Sequence, residues 1–195
     1  MQTLLVDLDP QCNATTGLGG IPAETHPLVS EAALGENVVS TAVTNLSLLP
    51  GSRSVRDVER IAEQARAGSM VLSNHLSCGL NAWDYCLIDC PPSLGELTRT
   101  ALAGSTEVLM PIQCEYFALE GLTQMIEVIR DVMADQPGRL SFSGIVLTMH
   151  DANLELTTEV EQEVRDFFGE IVFDSHKAEE IKKKHPGTPR EIARE

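Results

Sequence analysis

The chain has 195 residues, 43% of them apolar, and its 14 glycines bring that share near one half, as in folded soluble domains. A chain of this length buries roughly 70% of the surface it exposes when unfolded, so its core requires neither a metal nor disulfides. That excludes a disordered tail or a cross-linked mini-protein. Against 29 acidic residues stand 14 basic ones, a formal charge of -15, and such a field repels polyphosphate backbones and anionic lipid.

In chain order, apolar runs of strand length alternate with helical patterns, the mark of a parallel sheet covered on both faces. Strands are expected at Thr3 to Leu8, Tyr85 to Ile88, Val108 to Ile112, Ser143 to Met149 and, weakly, Ile171 to Phe173, with a minor strand at Leu46 to Leu49. Between them lie three helical stripes. The first is Val55, Val58, Ile61, Ala62 and Ala65. The second is Leu119, Leu122, Met125, Ile126, Ile129 and Met133, and the third Leu156, Val160, Val164 and Phe167. Residues 20 to 52 read as a connection with short elements, and residues 68 to 82 carry no clear period. The expected fold is α/β, a mostly parallel sheet with helices on both faces.

The five cysteines (Cys12, Cys78, Cys86, Cys90, Cys114) include no C-x-x-C pair, and three lie in or beside apolar runs, which favours reduced, buried thiols. No stretch of 18 apolar residues exists and no basic segment precedes a hydrophobic one at the start. A cytoplasmic protein with no membrane attachment is expected.

Three strand candidates end in carboxylates: Leu4-Leu5-Val6-Asp7-Leu8-Asp9-Pro10, Cys86-Leu87-Ile88-Asp89-Cys90-Pro91-Pro92, and Val108 to Glu115. Ligands of open parallel sheets bind at the carboxyl ends of strands, so these acids should converge on one rim. An aspartate directly after an apolar strand suits Mg²⁺, which takes few carboxylates, keeps several waters and draws other ligands from phosphates. Taken singly, each such Asp reads rather as a helix cap or turn residue; taken as a set, they read as a site.

The segment Asp7-Leu8-Asp9-Pro10-Gln11-Cys12-Asn13-Ala14-Thr15-Thr16-Gly17-Leu18-Gly19 resembles the D-x-D-P-Q-x-N-A-T-x-G-L-G block of the ParA/Soj partitioning ATPases, in the deviant Walker branch of P-loop proteins. Trp83 to Gly95, Pro111 to Leu122 and Gly144 to Ala152 match further blocks in order. The resemblance covers about residues 3 to 173. It implies a P-loop NTPase-like ATPase domain over 1–173, followed by a divergent charged tail over 174–195. It also implies Mg²⁺ and ATP as cofactors, a nucleotide-dependent homodimer, a ParB-type partner, and DNA bound without sequence preference. By resemblance Asp9 is the catalytic aspartate that orients water, and Asp89 the Walker B aspartate that acts on Mg²⁺ through water. Asp7, Gln11 and Asn13 fall in the first nucleotide switch segment, Pro91, Pro92 and Ser93 in the second, and Asp151, beside His150, near the base.

Two departures stand out. Residues 1–176 contain no lysine, whereas a phosphate loop needs G-x-x-x-x-G-K-[ST]: backbone N–H groups wrap the phosphates and lysine reaches the β and γ groups. Gly17-Leu18-Gly19-Gly20 reads as a turn instead. The expectation is therefore a truncated family member, its first strand, phosphate loop and first helix missing, that does not turn over ATP alone. Losing that strand would also leave an unpaired edge and bare apolar surface. The family's basic DNA-contacting stretch is not found either, and Lys182-Lys183-Lys184, among six basic and five acidic groups in the last 22 residues, reads as a solvated helix face. The alternative reading is a nucleotide-independent interaction module that keeps the dimer or partner surface through Gln113 to Gly121 and the bare edge. A MinD-like membrane ATPase fits less well, because the C-terminus has no amphipathic stripe of useful length.

Overall fold

The computed structural model describes residues 1–30, 32–57, 82–114, 118–149 and 153–173, divided between two units, Met1–Ser105 and Thr106–Glu195. The first is built around β1 (Thr3–Asp7), where Leu4 and Val6 alternate with less buried neighbours and disappear into the core. After it come short helices α1 (Asn13–Gly17), α2 (Pro27–Ser30) and α3 (Leu34–Asn37), then β2 (Val39–Ser40), β3 (Leu46–Leu49), β4 (Tyr85–Asp89) and α4 (Glu96–Gly104). The sheet order is β2-β3-β1-β4. β1 runs parallel to β3 and β4, pairing Thr3 with Leu46 and with Tyr85, while β2 folds back antiparallel on β3. One cluster unites Leu4, Val6 and Leu49 with Leu28, Val55, Leu97 and Ala101; each buried leucine contributes about 2 kcal/mol.

The second unit is a parallel β5 (Glu107–Gln113), α5 (Ala118–Asp135), β6 (Ser141–Thr148) succession with α6 (Glu155–Phe168) following. The register slips between Val108 and Leu109, because β6 carries Ser143 as an extra residue between Phe142 and Gly144. Gly144 has φ +148°, and a Cβ there would stand 2.6 Å from the Ile171 carbonyl oxygen. Only glycine lets the 171–173 segment come so close.

The mostly parallel α/β fold agrees with the sequence reading; four details differ. The antiparallel two-residue β2 is new, and arises because Thr41 Oγ1 donates to the Leu46 carbonyl while Asn45 takes φ +64°, closing a tight hairpin. Ile171 to Phe173 is not a strand: Gly169–Ile171 is a 3₁₀ turn, and one bridge, Ile145 to Val172, joins it to β6. On α6, Val160 and Val164 are buried as expected, but Leu156 is 45% and Phe167 78% exposed. The burial stripe there runs through Thr157, Val160 and Val164. In α5 the buried set is Leu122, Val128, Ile129 and Val132, a stripe displaced by one residue from Met133. Gly17 closes α1, and Gly19, at φ +74°, makes the turn expected there. The stripe from Val58 to Ala65, residues 68 to 81, Glu115, His150, Asp151 and the tail from Asp174 lie outside the described residues.

Candidate functional site

Asp7 and Asp89 are the last residues of β1 and β4 and stand opposite each other in the parallel register. The chain runs on from β1 with the Leu8 N–H donating to the Asp89 carbonyl at 2.9 Å, so both strands deliver their acids to one end of the sheet. The thiol of Cys90 registers the same convergence. Burial pushes it up to about 12, and the charges of Asp89 and then Asp9 push the same way, so both carboxylates act on a single sulfur.

Asp7 is fully buried, and an unpaired carboxylate there would cost several kcal/mol. It is paired on both oxygens. Oδ1 accepts from Asp9 N at 3.1 Å, while Oδ2 accepts from Thr15 N at 2.8 Å and Thr15 Oγ1 at 2.6 Å. Asp9 lies in the tight turn that follows. Its Oδ1 accepts from Gln11 N at 2.8 Å and its carbonyl from Cys12 N at 2.9 Å, and its other carboxylate oxygen receives no protein donor among the described residues. Cys12 turns the chain in the left-handed region, φ 58° and ψ 35°, an uncommon place for a non-glycine residue. Gln11 and Asn13 are exposed and joined by Asn13 Nδ2 donating to Gln11 Oε1 at 3.2 Å.

On the β4 side, Pro91 is buried while Pro92 and Ser93 are exposed. Their loop is held from α4, where Thr98 Oγ1 donates to the Ser93 carbonyl at 2.6 Å. Thr15 and Thr98, both buried, are therefore the side chains that fix the two loops, and neither was singled out from sequence. Their signal was present: each sits on the first helix after an acid-ended strand. Gly51 was also missed. A Cβ there would come within 2.8 Å of the Asp7 carboxyl, so the exit of β3 must be glycine. Arg53, two residues on, is exposed, and its charge reaches the Cys12 thiol. Gln113 ends β5 exposed; the sequence-predicted Asp151 lies outside the described residues.

No group of three or more His, Cys, Asp or Glu among the described residues is arranged to hold a metal. A fully protein-built metal cage is therefore not found there. Carboxylates at strand ends, one of them with an oxygen free of protein donors, do match the chemistry of Mg²⁺, whose remaining ligands come from water and phosphate.

Residues 1–142 match a family model described as an AAA domain. The chain is 41% identical over 178 residues to the chromosome-partitioning ATPase Soj of Treponema pallidum, covering 89% of this chain and 70% of that one. The chain belongs to the ParA/Soj family. To the sporulation initiation inhibitor protein Soj of Bacillus subtilis it is 38% identical, covering 88% of this chain and 70% of the relative. The P-loop NTPase-like fold of a ParA/Soj protein is also seen in a solved structure of cobyrinic acid a,c-diamide synthase from Mycobacterium smegmatis with bound ADP and magnesium. That structure has a TM-score of 0.79 at 30% identity, covering 86% of this chain and 70% of the other. The ParA/Soj chain spans about 70% of the length of these relatives. Among the described residues no helix is long and apolar enough to cross a membrane.

Proposed function

We propose that the rim at the ends of β1 and β4 is the metal and water side of a Mg²⁺–ATP site in a partitioning ATPase. One observation carries this reading: Asp7 and Asp89 stand in register on adjacent parallel strands, with Asp9 in the turn just beyond. In this reading Asp9 is the catalytic group, accepting a hydrogen bond from the attacking water on its uncommitted oxygen. Asp89 would hold Mg²⁺ through a water molecule. Bound Mg²⁺–ATP would supply the electrophilic γ-phosphoryl group. Asp7, Gln11 and Asn13, and Pro91, Pro92 and Ser93 after β4, form the two loops whose positions report whether that group is present, and by the family resemblance Asp151 would serve on the base side. Residues 1–173 act as the nucleotide domain, 174–195 as a tail. A second copy of the chain and a ParB-type protein are the partners, DNA enters through them, and the protein works in the cytoplasm.

The test is phosphate release by the purified chain with Mg²⁺ and ATP, alone and with Asp9→Ala. With no lysine in residues 1–176, the chain alone is expected to stay at background. Brisk turnover that Asp9→Ala leaves intact would remove Asp9 from its role. A second reading, an interaction module indifferent to nucleotide, draws on β4: among the described residues it is the last strand of its sheet, with Tyr85 55% and Leu87 46% exposed.

A further inference from the structure

The fully buried Asp7 carboxylate accepts three hydrogen bonds, from the Asp9 amide and from the amide and hydroxyl of Thr15. The bond at Oδ1 fixes the amide of Asp9, and with it the start of the turn that carries the Asp9 carboxylate. The two at Oδ2 tie the same carboxylate to α1. A threonine hydroxyl has one hydrogen to give and lone pairs to receive with. Thr15 gives its hydrogen to Asp7 at 2.6 Å and receives the Gly51 amide at 2.8 Å. The hydroxyl thus joins the exit of β3 to the exit of β1, in a pocket where no water-exposed substitute stands by, since Thr15 is fully buried. Gly51 completes the arrangement by bringing its backbone up against the Asp7 carboxyl, closer than any side-chain-bearing residue could.

We propose that Thr15 is a positioning residue for Asp9, acting through the Asp7 carboxylate and braced from behind by Gly51. This rests on the reading of Asp9 as the water-orienting group and says what holds that group in place. Without the hydroxyl, Asp7 loses a short donor on one oxygen and can turn about its own side-chain bond, so the Asp9 amide loses its fixed acceptor. At the same time the Gly51 N–H is left buried without its partner. The turn from Asp9 to Cys12 then keeps only its local bonds and its link to β4 through Leu8.

The experiment is residue-resolved amide hydrogen exchange on the full chain, comparing wild type with Thr15→Val, Thr15→Ser and Gly51→Ala. Thr15→Val is expected to speed exchange at Asp9, Gln11 and Gly51 by about tenfold, the effect of losing one or two buried hydrogen bonds, while Cys86 to Ile88 on β4 change by less than about twofold. Thr15→Ser, which keeps the hydroxyl, should restore the wild-type pattern. A uniform rise through the turn and β4 alike would mean that Thr15 merely stabilises the unit, and would overturn the proposal, as would no rise at all. If Thr15→Val does not fold, Gly51→Ala decides: it keeps the hydroxyl but crowds the Asp7 carboxyl, and must give the same selective loosening. Amide exchange reads how the turn is held whether or not the chain turns over ATP, so this outcome is separable from that of the phosphate-release test of Asp9.

Discussion

At the scale of single residues, the site is a set of carboxylates whose surroundings give them different tasks. Asp7 has both oxygens spent on internal donors, whereas Asp9 keeps one oxygen clear of donors among the described residues. Two nearby thiols are shifted upward by burial, and at Cys90 the charges of Asp89 and Asp9 add to it. Burial pushes Cys90 up to about 12 and Cys86 up to about 11 from the ordinary 9.0. The unfolded chain therefore loses these protons first as the pH rises. Their contribution to stability is complete below pH 9 and is lost as the pH climbs from 9 toward 11 and 12. Denaturant midpoints should fall over that window, and fall less steeply in a Cys86→Ala, Cys90→Ala double variant; equal slopes would show that the thiols are as solvated folded as unfolded. Of the residues in this site, Asp7, Asp9 and Asp89 were legible because apolar runs ending in acids can be read directly. Thr15 and Gly51 were not, because their partner is eight residues away in one case and on another strand in the other.

At the scale of elements, periodicity located the helices better than it located their buried faces. The spacing of Leu156, Val160, Val164 and Phe167 gives a helix, and α6 occupies Glu155–Phe168, yet the two outer members stand in solvent. A helix buries only as much of a stripe as its neighbour covers. Val164, fully buried, and Phe167, 78% exposed, therefore separate composition from environment. Val164→Ala is expected to cost about 2 kcal/mol in chemical denaturation. Phe167→Ala, although it removes far more apolar surface, should stay within about 0.5 kcal/mol. The reverse ranking would mean that the exposed phenylalanine is covered in solution.

At the scale of the whole molecule, each unit has a sheet that stops at an apolar strand. Among the described residues, β4 ends the sheet of the first unit with Tyr85 and Leu87 half exposed, and in the second unit β5 pairs only with β6, with Leu109 54% exposed. Strand edges of this kind pair with other chains unless charge or cover prevents it. The net charge of -15 opposes self-association globally without blocking the edge locally. Light scattering coupled to size exclusion should therefore show association that grows with concentration, and Leu87→Lys should suppress it with the unfolding midpoint changed by less than about 0.5 kcal/mol. Association that persists in Leu87→Lys would place the contact elsewhere. Association that requires Mg²⁺ and ATP would count against the nucleotide-independent reading.

What the amino-acid sequence determined alone is the alternation of strand and helix, the family, and the delivery of Asp7 and Asp89 to strand ends, because these depend on local pattern and on motifs a few residues long. Only the tertiary structure decided which carboxylate has both oxygens bonded within the protein and which has one without a donor among the described residues, and which members of an apolar stripe are covered. Those outcomes are set by what packs against a residue from distant parts of the chain: the hydroxyl of Thr15, the bare backbone of Gly51 and the close approach allowed by Gly144. Burial and hydrogen-bond pairing are properties of the assembled neighbourhood, and no spacing along one segment encodes them.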